Sequence, residues 1–128
     1  MALKVELKPF ERIIIGESVI TNSETRAHFL IDGEAPILRE KDILTFESAD
    51  SPAKRIYLAV QLMYIHEDVE RIRSDYFHLI NDIVKAAPST IPYVDEINNE
   101  ILTGALYKAL KAAKKLIQYE QELLANAK

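Results

Sequence analysis

A run of lysines near the carboxyl end of the chain is suited to binding a polyanion. Lys108, Lys111 and Lys115 fall on one face of a helix at 3.6 residues per turn, and no acidic residue interrupts the run. Tyr107 and Tyr119 flank these lysines and offer rings on which bases can stack. Two interpretations stay open: a patch that contacts phosphates, or a solvated face whose positive charge complements the helix dipole.

A second set of cations lies in the first third of the chain. Arg39 can pair two N–H groups with a phosphate or a guanine edge. Lys4 and Lys8 are separated by an even number of residues, so a continuous strand would place both on one face, in reach of backbone phosphates. Residues 3–44 contain six basic and eight acidic side chains, a net charge of −2, so RNA binding here must depend on a few placed residues. The alternative is that all three are ordinary surface charges.

No constellation for catalysis or metal binding stands out. His78 and Asp82 are four residues apart on a helix and could form half of a metal site, but no third ligand has suitable spacing, so we interpret them as a surface contact. The chain has no cysteine, no nucleophile motif and no glycine-rich phosphate loop. We therefore expect neither an enzyme nor a cofactor or a bound metal.

Composition indicates a soluble protein. The 128 residues are 48% apolar and carry a net charge of −4, and charges interrupt the amino terminus where a signal peptide needs an apolar run. No apolar run is long enough to span a bilayer. We expect a cytoplasmic protein with no membrane partner, in which only a local cationic patch can bind nucleic acid.

The first 44 residues have the pattern of a small antiparallel sheet. Short β-branched or alternating runs are separated by turn residues such as Gly16 and Gly33, which predicts five short strands joined by tight turns. So small a sheet exposes apolar surface unless the helices or a second subunit cover it. The predicted strands begin at Leu3, Arg12, Val19, Ala27 and Ile37.

The rest of the chain has a helical pattern. Ser51 can cap a helix that begins at Pro52, and apolar residues then step by four and three to Ala86, which predicts one long helix with a coiled-coil-like seam. Residues 88–92 break it, a short helix spans 93–102, and a last helix over 105–124 can fold back along the first. The predicted fold class is α+β, a small N-terminal antiparallel sheet followed by a helical hairpin, with parts at residues 1–47 and 48–128.

Seven runs of the sequence carry a family resemblance: MALKVELKP (1–9), ERIIIGESVITN (11–22), APILREKDIL (35–44), IYLAVQLMY (56–64), INN (97–99), ILTG (101–104) and YKALK (107–111). Through these runs nearly the whole sequence resembles the FlbT family. The resemblance implies a post-transcriptional regulator of flagellum biogenesis that acts on the 5′ untranslated region of flagellin mRNA, usually by repressing translation. One departure is Phe10, where the family is expected to carry a glycine, so the local turn should be altered.

The β segment has a second set of shared residues, the run from Glu11 to Gly16 and the later Ala35-Pro36 and Arg39-Glu40 pairs. Through these residues it also resembles the CsrA family of small mRNA-binding regulators. This second resemblance implies a CsrA-like sheet whose first and last strands contact RNA, through Lys4 and Arg39, and two chains that interleave as a homo-oligomer.

Two functions therefore follow from the sequence. The first is an mRNA-binding repressor of translation whose sheet reads a single-stranded segment of flagellin mRNA. The second is a helical module that docks a flagellar protein partner through its apolar seam, which something must cover.

Overall fold

The protein has the α+β composition that its sequence predicts. The computed structural model describes residues 2–127, in which a β-rich segment precedes a wholly helical one. The strands are β1 (Leu3–Leu7), β2 (Arg12–Ile15), β3 (Ser18–Thr21), β4 (Ala27–Ile31) and β5 (Ile37–Arg39). The helices are α1 (Pro52–His66), α2 (Val69–Ala86), α3 (Ile91–Leu102) and α4 (Leu106–Asn126), with short 3₁₀ turns at Glu40–Asp42 and Pro88–Thr90.

The chain divides into two compact units, Met1–Ile43 and Leu44–Lys128. We call them the sheet unit and the helical unit. The division falls between residues 43 and 44, whereas the sequence pattern placed it between 47 and 48.

The sheet unit contains two small antiparallel sheets. One pairs β1 with β4, and the other has the order β3-β2-β5. Of these pairs, only β2 and β3 form a tight hairpin, because Gly16 at φ +61 begins a two-residue turn of the type II′ pattern. The other two pairs join strands that are distant in sequence, so the expectation of tight turns throughout was wrong.

Alternating side chains build the core of the sheet unit. Val5, Leu7 and Ile13 are each at most 2% exposed and pack with four half-buried side chains, Ile15, Phe29, Ile31 and Ile37. Because strand side chains alternate between faces, burying Val5 and Leu7 turns Lys4 and Glu6 outward. The alternation read from the sequence therefore sets which residues of β1 face solvent.

The predicted long helix over residues 52–86 is two helices in the structure. Glu67 adopts a left-handed conformation (φ 53), and Asp68 starts α2 as its N-cap, since its side chain accepts a hydrogen bond from the Arg71 N–H at 3.3 Å. The prediction of one continuous helix was wrong because an aspartate that caps the next turn stabilises a break. The predicted start holds: Ser51 Oγ accepts from the Lys54 N–H at 3.3 Å.

The last helix folds back along the first, as the sequence predicts. Glu120 meets the first turn of α1 while Tyr107 meets Tyr64 near its end, so α1 and α4 run antiparallel. The buried carboxylate of Glu120 accepts hydrogen bonds from Ser51 Oγ at 2.5 Å and the Ala53 N–H at 2.9 Å. It thus supplies acceptors and negative charge at the N-terminus of α1, where N–H groups lack helical partners.

A buried glutamine ties the start of the helical unit to α1. The Gln61 side-chain amide, 4% exposed, donates to the Leu44 carbonyl and accepts from the Leu44 N–H, both at 2.9 Å. Both polar groups of Leu44 are therefore satisfied by one side chain.

Candidate nucleic-acid interface

The outer face of the β1–β4 sheet carries Lys4, one of the residues that the sequence predicts to contact RNA. Lys4 pairs with Leu30 and Glu6 with His28 across the two strands, so all four side chains share the face opposite the core. Three of the four can form polar contacts with a ligand, and Leu30, 60% exposed, offers an apolar one. We call these residues, together with Arg39, the β1–β4 face.

Arg39 reaches this face from the other sheet. It lies at the end of β5, and its guanidinium Nη2 donates to the Lys4 carbonyl at 3.4 Å. The structure therefore brings together Lys4 and Arg39, which are 35 residues apart in sequence. They line a shallow depression of about 520 Å³ with Val5, Glu6, His28, Phe29 and Leu30.

An ion-pair cluster occupies the other end of the β1–β4 face. The Glu6 carboxylate bonds the Arg26 guanidinium and lies 3.1 Å from His28 Nε2. The hydrogen bond from Arg26 lowers the pKa of Glu6, so this exposed carboxyl stays ionised at neutral pH. Its charge is offset by Arg26, which lessens the repulsion that a bare carboxylate would exert on a phosphate.

Sequence reasoning did not find Glu6, Arg26 or His28 as members of this site. They meet because β1 pairs with β4, and no local pattern states which of five short strands pair. Their chemistry adds an imidazole and a second guanidinium to the predicted cations. A patch of this kind can bind a phosphate while an exposed apolar side chain packs against a base.

Lys8 does not share the geometry of Lys4. Strand β1 ends at Leu7, and Lys8 begins a turn in which its carbonyl accepts from the Glu11 N–H at 3.1 Å. The alternation that places Lys4 on the outer face therefore stops before Lys8. Lys8 is exposed, and a role in RNA binding stays a prediction.

The lysines of α4 form an exposed row, but neighbouring groups already engage two of them. Lys111 lies 5.2 Å from the centre of the Tyr107 ring, and Lys115 lies 3.2 Å from Glu96. The Tyr119 ring stacks on Tyr93 with 4.6 Å between centroids, which covers one of its faces. The row, which also includes exposed Lys108, is thus partly engaged within the helical unit, and its role in RNA binding stays a prediction.

Among residues 2–127, no group of three or more histidine, aspartate or glutamate side chains could hold a metal ion. No helix in that part of the chain is long and apolar enough to cross a membrane.

Comparison with known proteins places the chain in a family. The model of the family described as flagellar protein FlbT matches residues 3–124. The chain belongs to the FlbT family. The match spans both units, so FlbT membership applies to the sheet and to the helices alike. No solved structure is significantly similar to the chain.

Curated FlbT relatives cover nearly the full chain. A protein of Bradyrhizobium diazoefficiens named "Probable flagellum biosynthesis repressor protein FlbT 1" is 63% identical over 124 residues, 96% of this chain and 85% of the relative. A similarly named protein of Rhodopseudomonas palustris is 56% identical, covering 98% of this chain and 100% of its own. The protein of Caulobacter vibrioides named "Flagellum biosynthesis repressor protein FlbT" is 31% identical over 98% of this chain and 92% of its own length. The CsrA resemblance stays a prediction.

Proposed function

We propose that this FlbT protein regulates flagellum biosynthesis by binding the 5′ untranslated region of flagellin mRNA and repressing its translation. The names of its relatives, which are flagellum biosynthesis repressors, support the regulatory role. The observation that supports the RNA-binding step is the convergence of Lys4 and Arg39 on the β1–β4 face.

The chemistry of the β1–β4 face suits single-stranded RNA. Bases in a loop or an unpaired leader are free to present their edges and faces to side chains. The hydrogen bond to the Lys4 carbonyl uses Nη2 of the Arg39 guanidinium and orders that side chain in the free protein. Less conformational entropy is therefore lost when Arg39 binds RNA. Leu30 and His28 lie beside it to contact a base.

Repression follows from occupancy of the leader. A protein bound to the 5′ untranslated region competes with the ribosome for the same stretch of message. The site of action is then the cytoplasm, and the partner is flagellin mRNA.

An arginine substitution tests the proposal. Arg39→Ala should weaken binding to a flagellin leader RNA about 5- to 150-fold, because a bidentate contact contributes about 1–3 kcal/mol. Binding is measured by gel shift or filter titration at fixed salt, against a scrambled RNA of equal length. Arg73→Ala, which removes an exposed arginine from α2, is the matched control and should leave the affinity unchanged.

A salt titration of the same proteins locates the phosphate contacts. Lys4→Ala should lower the slope of log affinity against log salt by about 0.7, the value for one phosphate of a single strand. If Arg39→Ala and Lys4→Ala both bind the leader like the unmodified protein, the β1–β4 face is not the site.

A second candidate function is protein binding through the helical unit. A groove of about 280 Å³ lies between α2 and α3, with Phe77 and Leu102 exposed at 47% and 79%. Of the predicted seam residues, Leu62 is half-buried and Ile72 is buried in the fold, whereas half-buried Val69 lines this groove. A helix of a flagellar protein partner could pack on Phe77 and Leu102.

A further inference from the structure

Strand β3 is an unprotected sheet edge. It lies at the end of the order β3-β2-β5, and all four of its residues are exposed, Val19 at 60% and Ile20 at 41%. Natural proteins usually guard such an edge with charged side chains, proline or a bulge. Ser18–Thr21 contains no charged residue and no proline, so nothing in the strand opposes the addition of another strand.

The hydrogen-bond pattern shows which backbone groups of β3 point outward. The Asn22 N–H donates to the Glu11 carbonyl at 2.9 Å, so Asn22 bonds toward β2. Because antiparallel strands alternate between bonded and non-bonded pairs, Ser18 and Ile20 also bond toward β2. The N–H and C=O groups of Val19 and Thr21 therefore face the open edge.

We propose that the occupant of this edge is β3 of a second copy of this chain, paired antiparallel with a two-fold axis at Ile20. Only residues with outward backbone groups can exchange hydrogen bonds across the new pair. Val19 of one copy then pairs with Thr21 of the other, and this occurs twice by symmetry, giving four hydrogen bonds. Ile20 faces its own counterpart at the axis, in a non-hydrogen-bonded pair.

The side chains favour a second copy as the occupant. Ile20 lies directly opposite Ile13, which is fully buried in the core of the sheet unit, so Ile20 occupies the core face of the sheet although 41% of it is exposed. Pairing at the axis packs Ile20 against Ile20 and extends that core. Ser18–Thr21 has no charged residue, so no like charges meet in the pair. Val19 lies opposite Thr21 of the other copy, and valine and threonine are both residue types that favour strands.

A single cysteine tests this register, because the chain has none of its own. Ile20→Cys should form an intermolecular disulfide on mild oxidation, since a non-hydrogen-bonded pair places its Cα atoms about 4.5 Å apart. Ser18→Cys is the matched control on the same face of the strand. Its counterpart would lie about 14 Å away, four residues along the partner, so it should not cross-link.

Mass measurements on the full chain complete the test. Light scattering or sedimentation should show a concentration-dependent species of twice 14.6 kDa. Ile20→Lys, which sets like charges opposite each other, should weaken dimerisation more than about tenfold. Leu124→Lys, an exposed leucine at the end of α4, should not.

Three results would overturn the inference. They are a wild-type monomer at every concentration, a dimer that Ile20→Lys leaves intact, and cross-linking of the Ser18→Cys variant equal to that of the Ile20→Cys variant. Circular dichroism of each variant separates loss of pairing from loss of folding. Loss of RNA binding by Arg39→Ala bears on a different strand, so the two proposals fail independently.

Discussion

At the scale of single residues, the β1–β4 face is centred on the hydrogen bond from the Arg39 guanidinium to the Lys4 carbonyl. Arg39 and Lys4 could be chosen because their charges suit phosphate, and the structure places them together. Glu6 and His28 could not, since their meeting depends on the register of β1 against β4. The residue types therefore indicate which side chains can bind phosphate, whereas they do not indicate which distant strands pair.

Phe10 has a conformation that disfavours its side chain. Pro9 and Phe10 are the two central residues of the Lys8–Glu11 turn. Phe10 has φ 63, in the left-handed region where glycine is preferred. The ring is 64% exposed and contributes little burial. The glycine expected from the FlbT resemblance therefore has a physical reason at this position.

Phe10→Gly should raise the free energy of unfolding by about 1 kcal/mol, because a left-handed conformation costs a non-glycine residue about 1–2 kcal/mol. Urea unfolding followed by circular dichroism measures the change. Phe10→Ala keeps the strain and removes the ring, so it should bring no such gain. Equal stabilisation by both variants would assign the effect to the ring instead.

At the scale of secondary structure, the break between α1 and α2 shows what periodicity cannot report. Ile65, Val69 and Ile72 keep the four-and-three spacing across the break, so the apolar pattern continues while the backbone does not. The signal that marks the break is local: Asp68 followed by Glu70 resembles the start of a helix. The five strands could be predicted because turn residues separate them. The fold-back of α4 could be predicted because that helix is long enough to run along α1.

Glu120 links two helices that the sequence predicted to be neighbours. Glu120→Ala should lower the free energy of unfolding by about 2–3 kcal/mol, because the Ala53 N–H and the Ser51 hydroxyl lose a charged, buried acceptor. Thermal or urea unfolding measures the loss.

Two variants bracket that result. Glu120→Gln keeps one acceptor oxygen and should lose less, about 1 kcal/mol. Glu122→Ala, an exposed carboxylate two residues further along α4, should leave stability nearly unchanged. Equal losses for the Glu120 and Glu122 variants would mean that helix charge, not the cap, is responsible.

At the scale of the whole molecule, an acidic protein proposed to bind RNA must concentrate its cations. The net charge is −4, so long-range attraction to RNA is absent and placed contacts must supply the affinity. The sheet unit carries the β1–β4 face, and the helical unit carries the groove beside Phe77 and Leu102. Each surface lies within a single unit, which lets the two candidate functions be tested by separate substitutions.

A cell-free translation reaction with a flagellin leader reporter separates them. With no other flagellar protein present, Leu102→Lys should repress like the unmodified protein, since its lysine lies near the C-terminus of α3, where positive charge is tolerated. Arg39→Ala should fail to repress. Loss of repression by folded Leu102→Lys would instead indicate that the helical groove contacts the translation machinery, which favours the protein-binding function.

The pair of hydrogen bonds between the Gln61 side chain and the Leu44 backbone has a practical consequence for the design of truncated proteins. An excised fragment that starts at residue 48 would discard the backbone groups that Gln61 holds and leave a buried amide without partners. A fragment that starts a few residues before Leu44 retains them. A deletion boundary chosen from the change in hydrophobic periodicity would thus give a destabilised helical fragment. Its low stability could be mistaken for evidence that the helices need the sheet in order to fold.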